Sequence, residues 1–174
     1  IPKCAGNTIT SWMRQNFSTL TTKRRQHANL RETLMGNHSL GPLRREDLGF
    51  LFCVVRNPWD YMVSWYTFKM RLCRQYIQLA SEKPPGVNLQ KKKYNIEANK
   101  AQLARLENLG FKGWVKQCKR DAQNDWAKDC DYVIKLESLN EDFKFMQDKL
   151  NCYKPLGYLN PTGERTKYKD YYQD

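Results

Sequence analysis

Residues 49–60 read GFLFCVVRNPWD, and the fold turns on them. Phe50 to Val55 is an unbroken apolar run that stops at an arginine, with a proline two residues further on. A strand that is apolar at consecutive positions has no face to offer water, so it belongs in a sheet covered on both sides, as parallel sheets are. Pro58 has no N–H for a ladder and closes the strand. From Asp60 onward, DYMVSWYTFKMRL (60–72) spaces its apolar residues as a helix does. The same order returns downstream, where DYVIKLESL (131–139) predicts a second buried strand and NEDFKFMQDKL (140–150) a helix. Strand, turn and helix in repeated succession predict an α/β fold, a central and mostly parallel sheet flanked by helices. Ligands of such sheets sit beyond the carboxyl ends of the strands.

Working outward to the start of the chain, IPKCAGNTI (1–9) is a lysine and a small-residue turn, and NTITSWMRQNF (7–17) carries Ile9, Trp12, Met13 and Phe17 at helical spacing. A helix is expected from near Thr8, so the turn feeds a helix N-terminus. Unpaired backbone N–H groups of Gly6, Asn7 and Thr8, aided by the helix dipole, make an anion site there. Gly6 permits close approach, Thr8 adds a hydroxyl, and Lys3 reaches the same anion as a point charge. The topology puts PKCAGNT and RNPWD on one edge of the sheet. The nucleotide loop G-x-x-x-x-G-K-[ST] is absent, since this lysine precedes its glycine. The strand 50–55 ends in Arg56, a cation that suits a second phosphate and repels a metal, where an ATP-hydrolysing enzyme would carry an acid for magnesium.

Between and beyond these elements the reading is coarser. Residues 30–42 predict a short helix closed by Gly36 and a loop broken at Gly41-Pro42, and residues 82–95 a loop. IEANKAQLARLENLGFKGWVKQC (96–118) predicts a helix interrupted at Gly110 and Gly113. Trp12, Trp59, Trp65 and Trp114 fall at apolar-periodic positions of the core.

With 174 residues, 40% of them hydrophobic, the chain can bury a core, and a single domain over 1–174 is expected. A formal charge of +12 calls for an anionic partner. The basic run LQKKKYNIE (89–97) has one aromatic and supplies no stacking platform for nucleic acid. Six cysteines form no C-x-x-C pair and lie near no histidine at ligand spacing, which speaks against zinc. Cys53 reads as a small buried hydrophobe, and Cys118, Cys130 and Cys152 as candidates for a disulfide in an oxidising compartment. No run of eighteen apolar residues spans a membrane. The sequons at Asn16 and Asn37 matter only in a secreted setting.

IPKCAGNTI resembles the 5′-phosphosulfate loop of the sulfotransferases, in the glycan-modifying branch, and VVRNPWDYMVSWY (54–66) resembles their 3′-phosphate segment, an arginine at a strand end and a serine eight residues on, Arg56 and Ser64. LNPTGERTKYKDYY (159–172) is similar to the late segment of that family. The resemblance implies the sulfotransferase fold, P-loop-like and three-layered, and the donor 3′-phosphoadenosine 5′-phosphosulfate (PAPS), used without a metal and released as the bisphosphate PAP. It implies that Lys3, Cys4, Ala5, Gly6, Asn7 and Thr8 hold the 5′ phosphosulfate, and that Arg56 and Ser64 hold the 3′ phosphate. Asn160, Thr162, Arg165 and Lys167 become donor contacts in the tail, and Glu137 a structural position. The sequence departs from the family in Cys4, where threonine is common, and in Asn7-Thr8, where Thr-Ser is usual. Only Ile1 and Pro2 precede Lys3, so the first strand is expected to be truncated.

Sulfuryl transfer requires a base for the acceptor hydroxyl, and the chain has two histidines. The family pattern of a histidine and short helix before the arginine motif matches QHANLRETL (26–34), which makes His27 the base, with His38 as the alternative. Lys3 is the second catalytic residue, meeting charge on the departing bisphosphate. The acceptor is expected to be a carbohydrate or another hydroxylated molecule. Two other classes compete: a P-loop kinase, recognised by magnesium-dependent ATP consumption, and a non-catalytic basic module for acidic glycan or RNA, recognised by salt-sensitive binding without donor affinity.

Overall fold

The structure, a computed structural model, describes residues 4–17, 44–84, 92–118, 123–157 and 168–173. These gather in two compact units, one from Ile1–Asn57 with Arg120–Gly163, the other from Pro58–Lys119 with Glu164–Asp174.

In the first unit the apolar run of residues 50–55 forms strand β1, Phe52–Val55, and DYVIK forms β2, Tyr132–Lys135. They pair in parallel, Phe52 opposite Tyr132 through Val55 opposite Lys135. The arrangement is the sheet-and-helix α/β fold that the order of elements predicts. Asp131 fastens the start of the pair: its carboxylate accepts from the Leu51 N–H at 2.7 Å and takes both oxygens to Arg45 at 2.8 and 2.9 Å. The Leu51 N–H and the neighbouring Arg45 guanidinium hold its carboxyl below the usual aspartate range.

Helix α1, Gly6–Asn16, begins two residues before the expected Thr8 and buries Thr8, Ile9 and Trp12. The Trp12 ring meets Phe143 edge-on at 4.9 Å, and its indole N–H donates to the Lys154 carbonyl at 2.7 Å. Phe143 belongs to a helix that follows β2, Leu139–Leu150, whose first turn carries Glu141 and Asp142. Asp142 accepts from the Lys135 N–H at 2.8 Å, and its carbonyl accepts from the Tyr132 hydroxyl at 3.1 Å, so this helix is stitched back onto the strand before it.

The sequence reading of β2 as a second buried strand is corrected. Ile134 is fully buried, but Val133 and Lys135 are exposed. Alternation of this kind marks a strand covered on one side, and among the described residues β2 has β1 as its single neighbour.

The second unit is built on α2, Pro58–Glu82, and α3, Ile96–Gln117. Proline suits the first position of α2, where its missing N–H would be unpaired in any case. The Asn95 side chain caps α3 by accepting from the Ala98 N–H at 2.9 Å. Of the two predicted interruptions in α3, Gly110 is one, with φ 58° and ψ 179°, whereas the helix runs on through Gly113. A core of Val63, Tyr66, Leu106, Phe111 and Trp114 joins the two helices, and the Tyr66 hydroxyl donates to the Leu106 carbonyl at 3.1 Å. Trp59, expected in the core, is instead 57% exposed; it sits in the first turn of α2 and meets the edge of Tyr172 at 5.2 Å. A helical period reaching back to the first turn names a face, but the end of a helix outruns the core that covers that face.

The predicted short helix and loop of residues 30–42 lie outside the described residues. No helix among the described residues is long and apolar enough to cross a membrane.

Candidate active site

The opening turn is short because Ala5 reverses the chain in the left-handed region, φ 53° and ψ 14°, and the Ile9 N–H then closes the first helical bond on the Ala5 carbonyl at 3.1 Å. A left-handed residue leading directly into a right-handed helix turns successive N–H groups toward one point, the concave arrangement that receives anions. Among the described residues no side chain caps α1 and no acid stands in its first turn, so the N–H groups of Gly6, Asn7 and Thr8 and the positive end of the dipole meet no carboxylate from the helix itself. A methyl group built on Gly6 would meet nothing within 4 Å among the described residues. That open space lies beside the very donors an anion would use.

Cys4 behaves differently from what its place in the loop suggests. Its side chain is 1% exposed, and the thiol donates inward to Gln123 Oε1 at 3.6 Å. Any contact of Cys4 with an anion therefore comes through its backbone. Thr8 is buried at the base of the turn.

Arg56 follows the last residue of β1 and is 5% exposed, which sets it apart from a solvated surface cation. Its main chain is gripped by the same glutamine: the Arg56 N–H donates to Gln123 Oε1 at 2.7 Å, and Gln123 Nε2 donates to the Arg56 carbonyl at 2.9 Å. On the next residue, the Asn57 N–H donates to Glu137 Oε1 at 2.6 Å. The start of α1 and the end of β1 thus meet at one point, on the edge the topology predicts. Glu137, a structural position by resemblance, holds the turn after Arg56.

Gln123 had no signal in the sequence. It lies in a polar stretch with no motif and caps a single helical turn, α4, Asn124–Ala127, its carbonyl accepting from the Trp126 and Ala127 N–H groups. Ser64 is half-buried on α2, in the second unit, and the Thr67 hydroxyl donates to its carbonyl at 3.4 Å. Lys3, His27, His38, Asn160, Thr162, Arg165 and Lys167 lie outside the described residues.

Three thiols collect beneath the site. Cys53 on β1 is buried; burial, and next the adjoining Cys130 thiol, push its pKa up to about 12. Cys130 donates to the Trp126 carbonyl at 3.2 Å, and all six cysteines are free thiols. No group of three or more metal-binding side chains gathers among the described residues.

A helix start with no acid in its first turn, tied through Gln123 to a buried arginine at a strand end, is what the fold places beyond the sheet of this α/β protein. The model of the sulfotransferase family matches residues 1–170, and the chain belongs to that family. No curated protein and no solved structure matches it. Family membership makes the chain a sulfotransferase enzyme acting on a hydroxyl-bearing acceptor.

Proposed function

We propose that the enzyme takes its sulfuryl group from PAPS and passes it to a carbohydrate hydroxyl. The observation that carries this reading is the junction at Gln123, which ties the turn at Cys4 to the main chain of Arg56. A nucleotide with anionic groups on both its 5′ and 3′ sides needs two cationic or N–H-rich points held at a fixed separation. The residues present suit it: uncapped N–H donors at Gly6, Asn7 and Thr8, open space over Gly6, and the fork of Arg56, which matches phosphate geometry.

The donor supplies a sulfur centre with a good leaving group. Gly6, Asn7 and Thr8 orient its 5′ side, with Cys4 and Ala5 shaping the turn through their backbone, and Arg56 holds the 3′ phosphate. Thr162 and Arg165 add contacts from the tail. His27 accepts the proton of the acceptor hydroxyl as that oxygen bonds to sulfur. Lys3 meets the negative charge on the bridging oxygen as the bond from sulfur to the nucleotide breaks. A net charge of +12 favours an anionic polysaccharide as the acceptor.

Calorimetry with PAP, against ATP as control, tests the reading. Binding of PAP without magnesium, and weak or no binding of ATP, is expected; ATP consumed in a magnesium-dependent reaction, with no heat from PAP, overturns it. His27→Ala should abolish turnover with PAP affinity nearly intact. Full turnover in that variant would return the role to His38.

A further inference from the structure

Gln123 occupies an unusual position. Its backbone is fixed by the turn of α4, and its planar amide uses both ends on one residue, accepting from the Arg56 N–H and donating to the Arg56 carbonyl. The last ladder pair of β1 and β2 is Val55 with Lys135, so at Arg56 the amide takes over as a hydrogen-bonding partner where the ladder has ended. The same Oε1 accepts the Cys4 thiol, one residue before the left-handed Ala5. On the next residue, Glu137 holds the Asn57 N–H. Gln123 is half-buried, and an amide whose donor and acceptor both bond to the main chain of one residue is held in a single orientation, since turning it breaks both bonds together.

We propose that Gln123 is a positioning residue that sets the separation between the N–H groups at the start of α1 and the Arg56 side chain. Its effect falls selectively on nucleotides that carry phosphate on both the 3′ and the 5′ side. This inference rests on the reading of the site as a PAPS site. A ligand held at two points gains from the second point only when the spacing is right, since the second contact is then made within the complex. A ligand held at one point is indifferent to the spacing.

The test compares PAP with adenosine 5′-monophosphate on the full chain, by calorimetry. Wild type should bind PAP more tightly. Gln123→Ala should weaken PAP about tenfold or more while changing the monophosphate less than about threefold, a loss comparable to that of one hydrogen-bonded anchor. Gln123→Met keeps the side-chain volume, removes every hydrogen bond of the amide and should show the same selective loss if the alanine variant does not fold. Independently of any variant, hydrogen exchange of the wild-type peptide over residues 52–57 should show the Arg56 N–H protected before ligand is added. Equal losses for both ligands, a retained preference for PAP in a folded variant, or rapid exchange at Arg56 would each overturn the role of Gln123 alone. A wild type with no preference for PAP would overturn it together with the PAPS reading.

Discussion

Replacing Phe143 by alanine is the sharpest test of how α1 is held in place. The ring is 1% exposed and stands edge-on to Trp12 at 4.9 Å with an interplanar angle of 89°. Truncating a buried phenylalanine to alanine costs about 3–5 kcal/mol, of which an edge-to-face aromatic pair accounts for roughly 0.5–1.5 kcal/mol. Phe143→Leu keeps most of the volume and forfeits the ring contact, so its cost should stay near about 1–2 kcal/mol. Total stability of about 5–15 kcal/mol leaves the alanine variant folded but close to its limit. Peptide-resolved hydrogen exchange is the suitable assay, because it reads the two units separately. In the alanine variant, peptides over Gly6–Asn16, β1 and Leu139–Leu150 should lose protection by roughly 10²- to 10⁴-fold, at tenfold for each 1.4 kcal/mol. Peptides over α2 and α3, whose buried cluster contains neither Trp12 nor Phe143, should keep theirs. A loss under about fivefold would mean that the ring is not the packing partner described, and an equal loss in both units would refute their division.

Three shorter predictions follow from the same geometry. Gly6→Ala meets no atom of the described residues within 4 Å and should fold as stably as wild type, yet bind PAP at least about tenfold more weakly because its methyl would stand where the anion is proposed to seat; unchanged affinity would move the anion elsewhere. Cys53 is a neutral thiol in the folded chain with its pKa raised from 9.0 to about 12, so its contribution is complete below pH 9 and is lost as pH rises toward 12. Cys53→Val should accordingly flatten the alkaline limb of a pH–melting curve, and an unchanged limb counts against the burial of this thiol. Asp131 has the opposite sign: its carboxyl is held below the usual aspartate value of 3.8, so its contribution is present above that pH and lost as acid protonates it in the fold. Asp131→Asn should remove part of the acid-induced loss of stability, read by circular dichroism between pH 5 and pH 2, and an identical acid limb would sink the assignment.

Much of the fold was legible because its signals are local. The apolar run 50–55, the proline behind Arg56 and the helical spacing of 60–72 each arise from neighbours in sequence, and β1 and α2 stand where they predict. The misreadings have a common cause. Val133 and Lys135 face outward and Trp59 is exposed because coverage depends on which elements pack against a face, and no window of sequence carries that. Gly113 continues its helix because glycine permits a break without imposing one, whereas Gly110 takes a positive φ. At the site, the turn and Arg56 were readable as types in a pattern. Gln123 was not, since a side-chain amide that bonds to backbone 67 residues away has no signature of spacing.

The inward thiol of Cys4 bears on how such a loop tolerates change. If the anion is held by backbone N–H groups of Gly6, Asn7 and Thr8, the side chain at position 4 is not needed at the ligand, and a threonine-to-cysteine exchange there costs the donor site little. The thiol is a weak hydrogen-bond donor, yet a buried position rewards its apolar bulk, and Gln123 still finds a proton to accept. At Arg56 the scaffold bonds that Gln123 makes fall on the main-chain N–H and carbonyl. On the proposed reading, turn and strand end alike meet the donor with atoms other than those that Gln123 holds. If Gln123 sets that spacing as proposed, the side chain at position 4 can change while the separation of the two anion contacts stays constant, provided the amide at position 123 remains.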